Sequence, residues 1–166
     1  LPLYFSSFVE TITDAVFESV SGLTTTGSTI LTNLDSKPAS LLLWRSMTQW
    51  LGGIGIIVMG LVILPFLKIG GKELFRIESS DTYDKVVPKS ASFISAFAMV
   101  YVVLTAACAV LYGMTGMSGF EAVNHAMTTL STGGYSTSDA SMGHFTNPAT
   151  EWVSVVFMTC GGIPFV

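Results

Sequence analysis

Two short runs concentrate hydroxyl groups and glycine: Thr24, Thr25, Thr26, Gly27 and Ser28 in the first, Ser131, Thr132, Gly133, Gly134 and Tyr135 in the second. Such runs offer two kinds of hard oxygen, the side-chain hydroxyl and the backbone carbonyl. An extended strand whose carbonyls converge can replace the water around a dehydrated cation, while hydroxyls pin the strand from behind or ligate directly. Glycine permits the backbone dihedrals this needs and a Cβ would forbid. The chemistry on offer is ion coordination, with Thr25, Thr26, Gly27, Thr132, Gly133 and Gly134 as the expected ligands. No bond need be made or broken, so no catalytic residue is expected.

Other residues with chemical potential fit their rival roles less well. Cys108 and Cys160 lie far apart in apolar runs, a pattern that suits neither a disulfide framework nor a metal site. His125 and His144 have no partner set for a metal and read as packed or solvated histidines. The run "GMSG", Gly116 to Gly119, fits the GxSG pattern of intramembrane serine proteases of the rhomboid type. A nucleophilic Ser118 would need a base within hydrogen-bond reach. His125 and His144 sit in the same region of chain rather than on a separate spanning helix, which argues against that reading. The glycines of "LGGIGIIVMG" have no preceding strand and no acidic residue at the distance a dinucleotide loop requires. They suit close helix approach in lipid instead, so Gly52→Ala is expected to act mainly on packing.

The elements that position the two runs repeat. Sliding the chain by 107 residues lays "DAVFESVSGLTTTGST" (Asp14–Thr29) on "EAVNHAMTTLSTGGYS" (Glu121–Ser136) without gaps. Ala15, Val16, Leu23, Thr25 and Gly27 meet identical residues, and Asp14 meets Glu121. The slide pairs Gly27 with Gly134, though Gly133 beside it leaves the choice of glycine open. Each copy begins at an acid, runs through a stretch suited to a helix of roughly three turns, and ends in the hydroxyl-rich run. Such a helix is too short to span a bilayer, and its end too polar to face lipid. Irregular backbone at membrane depth is tolerated only where it is buried in protein or lines water. Each copy therefore reads as a re-entrant half-helix followed by a pore-lining strand, with the helix C-terminal partial charge aimed at the cation.

Composition places these loops in a membrane. Only 11% of the 166 residues are charged and the mean hydropathy is +0.63, against about 25% charged in soluble domains. The net charge of −4 argues against a nucleic-acid partner. Three stretches are apolar and long enough for spans of about 20 residues: Leu41–Leu67, Ala91–Tyr112, and one starting near Trp152. Lys68, Lys72, Arg76, Lys85 and Lys89, five of the seven basic residues, fall between the first two spans. By the positive-inside rule that loop is cytoplasmic and both polar runs face outward. The outward connections carry Glu10, Asp14, Glu18, Asp35, Glu121, Asp139 and Glu151 against Lys37, a field attractive to cations. Arg45, Thr48 and Gln49, flanked by Trp44 and Trp50, allow two roles: interfacial anchoring, or contact with the back of the polar strand. Both termini read as cut, the first without a basic leader and the last within an apolar stretch, which makes the chain a piece of a longer membrane protein.

With these features in place, "TDAVFESVSGLTTTGST", "WRSMTQWLGGIGIIVMGLVILP", "GGKELFR" and "STGGYSTSDASMGHF" resemble the Trk/Ktr/HKT superfamily of potassium uptake proteins, most closely the bacterial TrkH-type membrane subunit. The resemblance covers essentially the whole chain. It implies an all-α membrane protein of helix–pore-loop–helix repeats around one central pore, in the bacterial inner membrane. Residues 1–67 would hold the pore loop and second helix of repeat one, 68–90 a cytoplasmic linker, and 91–166 repeat two with its last helix truncated. The family's filter glycine falls on Gly27 and, in repeat two, on Gly134 or Gly133. The resemblance further implies potassium as the transported ion, no cofactor, contact with the remaining repeats of the same chain, a homodimer, and a cytoplasmic nucleotide-binding regulatory ring of the TrkA type. Two pore loops cannot close a four-sided filter, so this chain alone is not expected to conduct. The alternative is a sodium-coupled secondary transporter with broken helices. Against it, both polar loops face the same side, whereas inverted repeats would place them on opposite faces.

Overall fold

The computed structural model describes residues 2–5, 9, 11–63 and 86–162. Six α-helices follow one another among the described residues: α1 (Pro2–Phe5), α2 (Ile12–Leu23), α3 (Ala39–Ile63), α4 (Val86–Met114), α5 (Gly119–Leu130) and α6 (Pro148–Gly162). Among the described residues there is no strand. Short 3-10 turns at Leu34–Ser36 and Ser141–His144 lie in the two loops that lead out of the polar runs.

Both half-helices exist, and each landmark of α2 recurs in α5 107 positions later. Thr11 caps α2, its Oγ1 accepting from the Asp14 amide at 3.1 Å. Ser118 caps α5 in the same way at 3.3 Å, with the Glu121 carboxylate returning to accept from the Ser118 amide at 2.9 Å. A cap oxygen satisfies an amide that the first turn leaves open, and an acid there suits the positive end of the helix dipole. Each helix has 12 residues, about 18 Å of rise, well short of the roughly 30 Å of hydrocarbon in a bilayer.

The longer helices frame these two. Helix α4 contains Ile94–Met114, long and apolar enough to cross a membrane. Helix α3 has 25 residues and begins just after Pro38, whose ring suits a helix start. The expected first span, Leu41–Leu67, is helical from Ala39 to Ile63, and residues 64–67 lie outside the described residues. So do Glu10 and the basic residues Lys68, Lys72, Arg76 and Lys85 of the expected linker. Helix α5 packs against α3, α4 and α6, while α2 packs on α3.

The distribution of polarity is inverted relative to a soluble domain. Glu18, Arg45, Gln49, Asn124, His125 and Thr150 are buried, while Met99, Val103, Val110, Trp152, Val155 and Val156 are exposed. Apolar side chains pointing out and paired polar ones pointing in is the arrangement that lipid as a solvent selects.

Candidate functional site

The two polar runs leave their half-helices through one and the same turn. The amides of Thr24, Thr25 and Thr26 donate to Val20, Gly22 and Ser21 at 2.8, 3.0 and 3.0 Å. Those of Ser131, Thr132 and Gly133 donate to Met127, Thr129 and Thr128 at 3.2, 3.0 and 2.9 Å. These are Schellman closures, which normally place a glycine in the left-handed region just past the helix. Here a threonine occupies it in both copies, Thr25 at φ 55° and Thr132 at φ 53°. A β-branched residue there is strained by about 1–3 kcal/mol.

Two residues further on, Gly27 at φ 78° and Gly134 at φ 81° return to positive φ. Of the two adjacent glycines, Gly134 repeats the positive φ of Gly27 and Gly133 does not. Positive φ at every second residue turns successive peptide planes so that the strand does not spiral back into a helix. The carbonyls of Thr24, Thr25, Thr26 and Gly27 accept no hydrogen bond from any described residue, nor do those of Ser131, Thr132 and Gly134. Two other carbonyls are held. Ser28 O accepts from Ser21 Oγ at 2.6 Å, and Gly133 O accepts from Gln49 Nε2 at 2.9 Å.

The strands touch one another. A Cβ on Gly27 would collide with the Gly133 carbonyl. Side chains from α3 fill the space behind both. Gln49 grips the second strand at two points, donating to Gly133 O and accepting from the Tyr135 amide at 3.0 Å. Arg45 is paired with Glu18 at 2.8 Å, both side chains almost fully buried. Glu18 also accepts from Thr29 Oγ1 at 2.8 Å and from the Ile30 amide at 3.2 Å, just past the first strand. Tyr135 reaches back from the second strand to donate to Glu18 O at 2.9 Å. Of the two roles open to Arg45 and Gln49 in the sequence, they take the one behind the polar strands. Trp50 ties α3 to α4, its Nε1 donating to Thr105 Oγ1 at 3.0 Å.

Glycine contacts support the strands from below. A Cβ on Gly52 would collide with the carbonyl of Leu23, the last residue of α2, and one on Gly161 with that of Leu130, the last of α5. The close approach expected of Gly52 is real, but it is made to the foot of the polar strand rather than to another spanning helix. His125 is packed, edge-on to Phe145 at 5.2 Å and with Nε2 3.3 Å from Thr137 Oγ1. The Ser118 hydroxyl accepts from the Glu121 amide, and neither histidine bonds to it. No group of His, Cys, Asp and Glu suited to a metal ion is found among the described residues. The left-handed threonines and the Glu18–Arg45–Tyr135 contacts are the features that sequence reasoning missed.

Comparison with known proteins matches the chain to one family. The family model described as "TrkH: Cation transport protein" covers residues 1–166. The potassium uptake protein TrkI of Halomonas elongata is 51% identical over 167 aligned positions, spanning 100% of this chain and 34% of that protein. TrkH of Escherichia coli is 44% identical over 165 positions, 98% of this chain and 34% of that protein. The crystal structure of the potassium transporter TrkH from Vibrio parahaemolyticus superposes with a TM-score of 0.76 at 42% identity, over 89% of this chain and 29% of that one. The chain thus spans about a third of the length of the curated relatives it matches. With a family model matched from end to end and relatives this similar, the chain belongs to the TrkH family of cation transport proteins.

Proposed function

We propose that this chain supplies two of the strands that line a potassium path through a bacterial inner membrane. The observation that carries the reading is the duplicated turn. Two strands, each entered through a left-handed threonine and continued by a left-handed glycine, present carbonyls that no described residue claims. Unclaimed carbonyls at the C-terminal end of a half-helix are oxygen ligands for a cation that has shed its water. The names of the relatives, potassium uptake proteins and a potassium transporter, supply the ion.

In this reading potassium meets the oxygens of Thr24–Ser28 and Ser131–Tyr135, with Thr25, Thr26, Gly27, Thr132 and Gly134 as ligands. Gly133, whose carbonyl Gln49 holds, anchors its strand from behind. No cofactor takes part, and no bond is broken. The membrane potential supplies about 2.3 kcal/mol per 100 mV for each inward charge. The polar runs face outward and the basic loop around Lys68–Lys89 faces the cytoplasm, where it would meet a TrkA-type nucleotide-binding ring. The remaining repeats of the same chain, a second copy in a homodimer and the lipid bilayer complete the surroundings.

The test is rubidium uptake by the complete protein carrying this chain, in cells without their own potassium uptake, beside its Gly134→Ala variant. Uptake by the parent, and altered uptake by an equally abundant variant, is expected. A well-expressed parent that moves no rubidium would instead favour the sodium-coupled carrier.

A further inference from the structure

Slid by 107 positions, Glu18 falls on His125, Thr29 on Ser136 and Ile30 on Thr137. The two copies use these residues alike: each half-helix reaches over the strand that leaves its own polar run. Glu18 holds Thr29 and Ile30, and His125 approaches Thr137 Oγ1 at 3.3 Å and Ser136 Oγ at 3.5 Å. What lies behind differs. Pro148 follows Ala39, and Gly161 follows Gly52, by 109 positions. The counterparts of Arg45 and Gln49 are thus Ser154 and Met158, and these two, with His125, line a cavity of ≈ 60 Å³. Repeat one fills the equivalent space with a buried ion pair and an amide. The module therefore forms with or without the charged groups, so their presence asks for a reason other than folding.

Arg45 touches both repeats at once. Its Nε donates to Glu18 Oε1 at 2.8 Å and its Nη2 to Thr29 Oγ1 at 2.9 Å, both in repeat one. Its Nη1 donates to Ser136 O at 3.5 Å, and its guanidinium lies 4.0 Å from the centre of the Tyr135 ring, both in repeat two. A planar fork with five donors and an aromatic-stacking face can span these partners together, and a lysine ammonium cannot. We propose that Arg45, paired with Glu18, is a positioning residue that sets the spacing between the first two polar strands and thereby the ion preference of the path. Gln49, one turn along α3, fixes the second strand's register by holding Gly133 and Tyr135. None of the three reaches the ion. This inference rests on the potassium reading above.

The experiment measures rubidium uptake against sodium competition in the complete protein, with membrane abundance checked for each form. Arg45→Lys keeps the buried charge and removes the fork. Loss of charge-assisted contacts predicts a KM for rubidium, or a susceptibility to sodium, changed by about tenfold, with Vmax per protein largely kept. Glu18→Gln, Arg45→Met and their double variant complete a cycle, and the double is expected to be no worse than the worse single, because the pair acts as a unit. Arg45→Lys with unchanged KM and sodium competition would overturn the inference, since charge balance alone would then suffice. So would variants that lose abundance while each remaining molecule keeps its ion preference. An unmodified protein that moves no rubidium sinks the potassium reading itself, and this inference with it.

Discussion

At the residue scale the site rests on backbone conformation more than on side-chain identity. Gly27 combines a positive φ with a neighbour that leaves no room for a methyl group. Gly27→Ala therefore pays the left-handed cost of about 1–2 kcal/mol and also pushes the Gly133 carbonyl out of Gln49's reach. Uptake of rubidium by the complete protein should fall by at least tenfold, with the protein still present in the membrane, and unchanged uptake would remove Gly27 from the path. The hydroxyl-rich runs themselves were legible as candidate ligands because threonine, serine and glycine in that order have few other uses inside an apolar chain. The left-handed Thr25 and Thr132 were not legible, since the preference of a β-branched residue points the other way. Arg45 was half legible. A lone charge inside an apolar helix flags function, but its partners stand 27 and 91 residues away, beyond any local pattern.

At the scale of elements, the half-helices are held between their caps and the glycines beneath their ends. Gly52 of α3 and Gly161 of α6 sit under Leu23 and Leu130, whereas Gly55 faces open space. Gly55→Ala should be neutral or stabilise α3 by up to about 1 kcal/mol. Gly52→Ala should displace the end of α2 and impair uptake, an effect on the strand that exceeds the packing role assigned from sequence. Uptake and melting of the two variants, side by side in detergent and in cells, separate these outcomes; equal mild effects would refute the contact. The cap of α5 carries a pH signature. Chiefly through its hydrogen bond with Ser118, the Glu121 carboxyl is held below its usual value. A depressed folded value adds stability above the unfolded value, and that stability is lost as pH falls through the folded one. Thermal melts in detergent from pH 6 down to 3 should thus fall more steeply for the parent than for Glu121→Gln, by a small margin because the carboxylate is only partly shielded. Parallel slopes would dissociate the cap from stability. Both half-helices, and their 107-residue spacing, were readable from the sequence because acid, apolar stripe and hydroxyl end recur without a gap.

Across the whole molecule, the two loops beyond the strands are tied together on one side. Asp139 Oδ1 accepts from the Leu34 amide at 3.1 Å, and the Asp139 amide donates to Asp35 Oδ2 at 3.4 Å. Hydrogen bonding from Ser138 holds the Asp35 carboxyl below its usual range. If this side faces outward, cysteines at exposed loop positions, Thr32→Cys and Gly143→Cys, should react with a membrane-impermeant maleimide applied from outside. Lys72→Cys should react only after the membrane is opened. The reverse pattern would invert the topology. The all-α character and the family were within reach of sequence. The cross-repeat contacts were not, because they depend on how α3 inserts behind both strands.

The buried pair of Glu18 and Arg45 has a consequence for how the chain enters the membrane. An arginine resists insertion of a lone helix, by about 2.5–3.5 kcal/mol at the centre and by less near an end, where Arg45 lies in α3. Its carboxylate partner is made 27 residues earlier, whereas Ser136 and Tyr135 emerge from the ribosome only after α4. The nascent hairpin of α2 and α3 can therefore neutralise itself while the translocon still holds it, and the contacts to the second repeat are added to a charge already accommodated. Chains halted shortly after α3 should insert that helix less often when Glu18 is replaced by glutamine, and equal insertion would show that the arginine waits for its later partners.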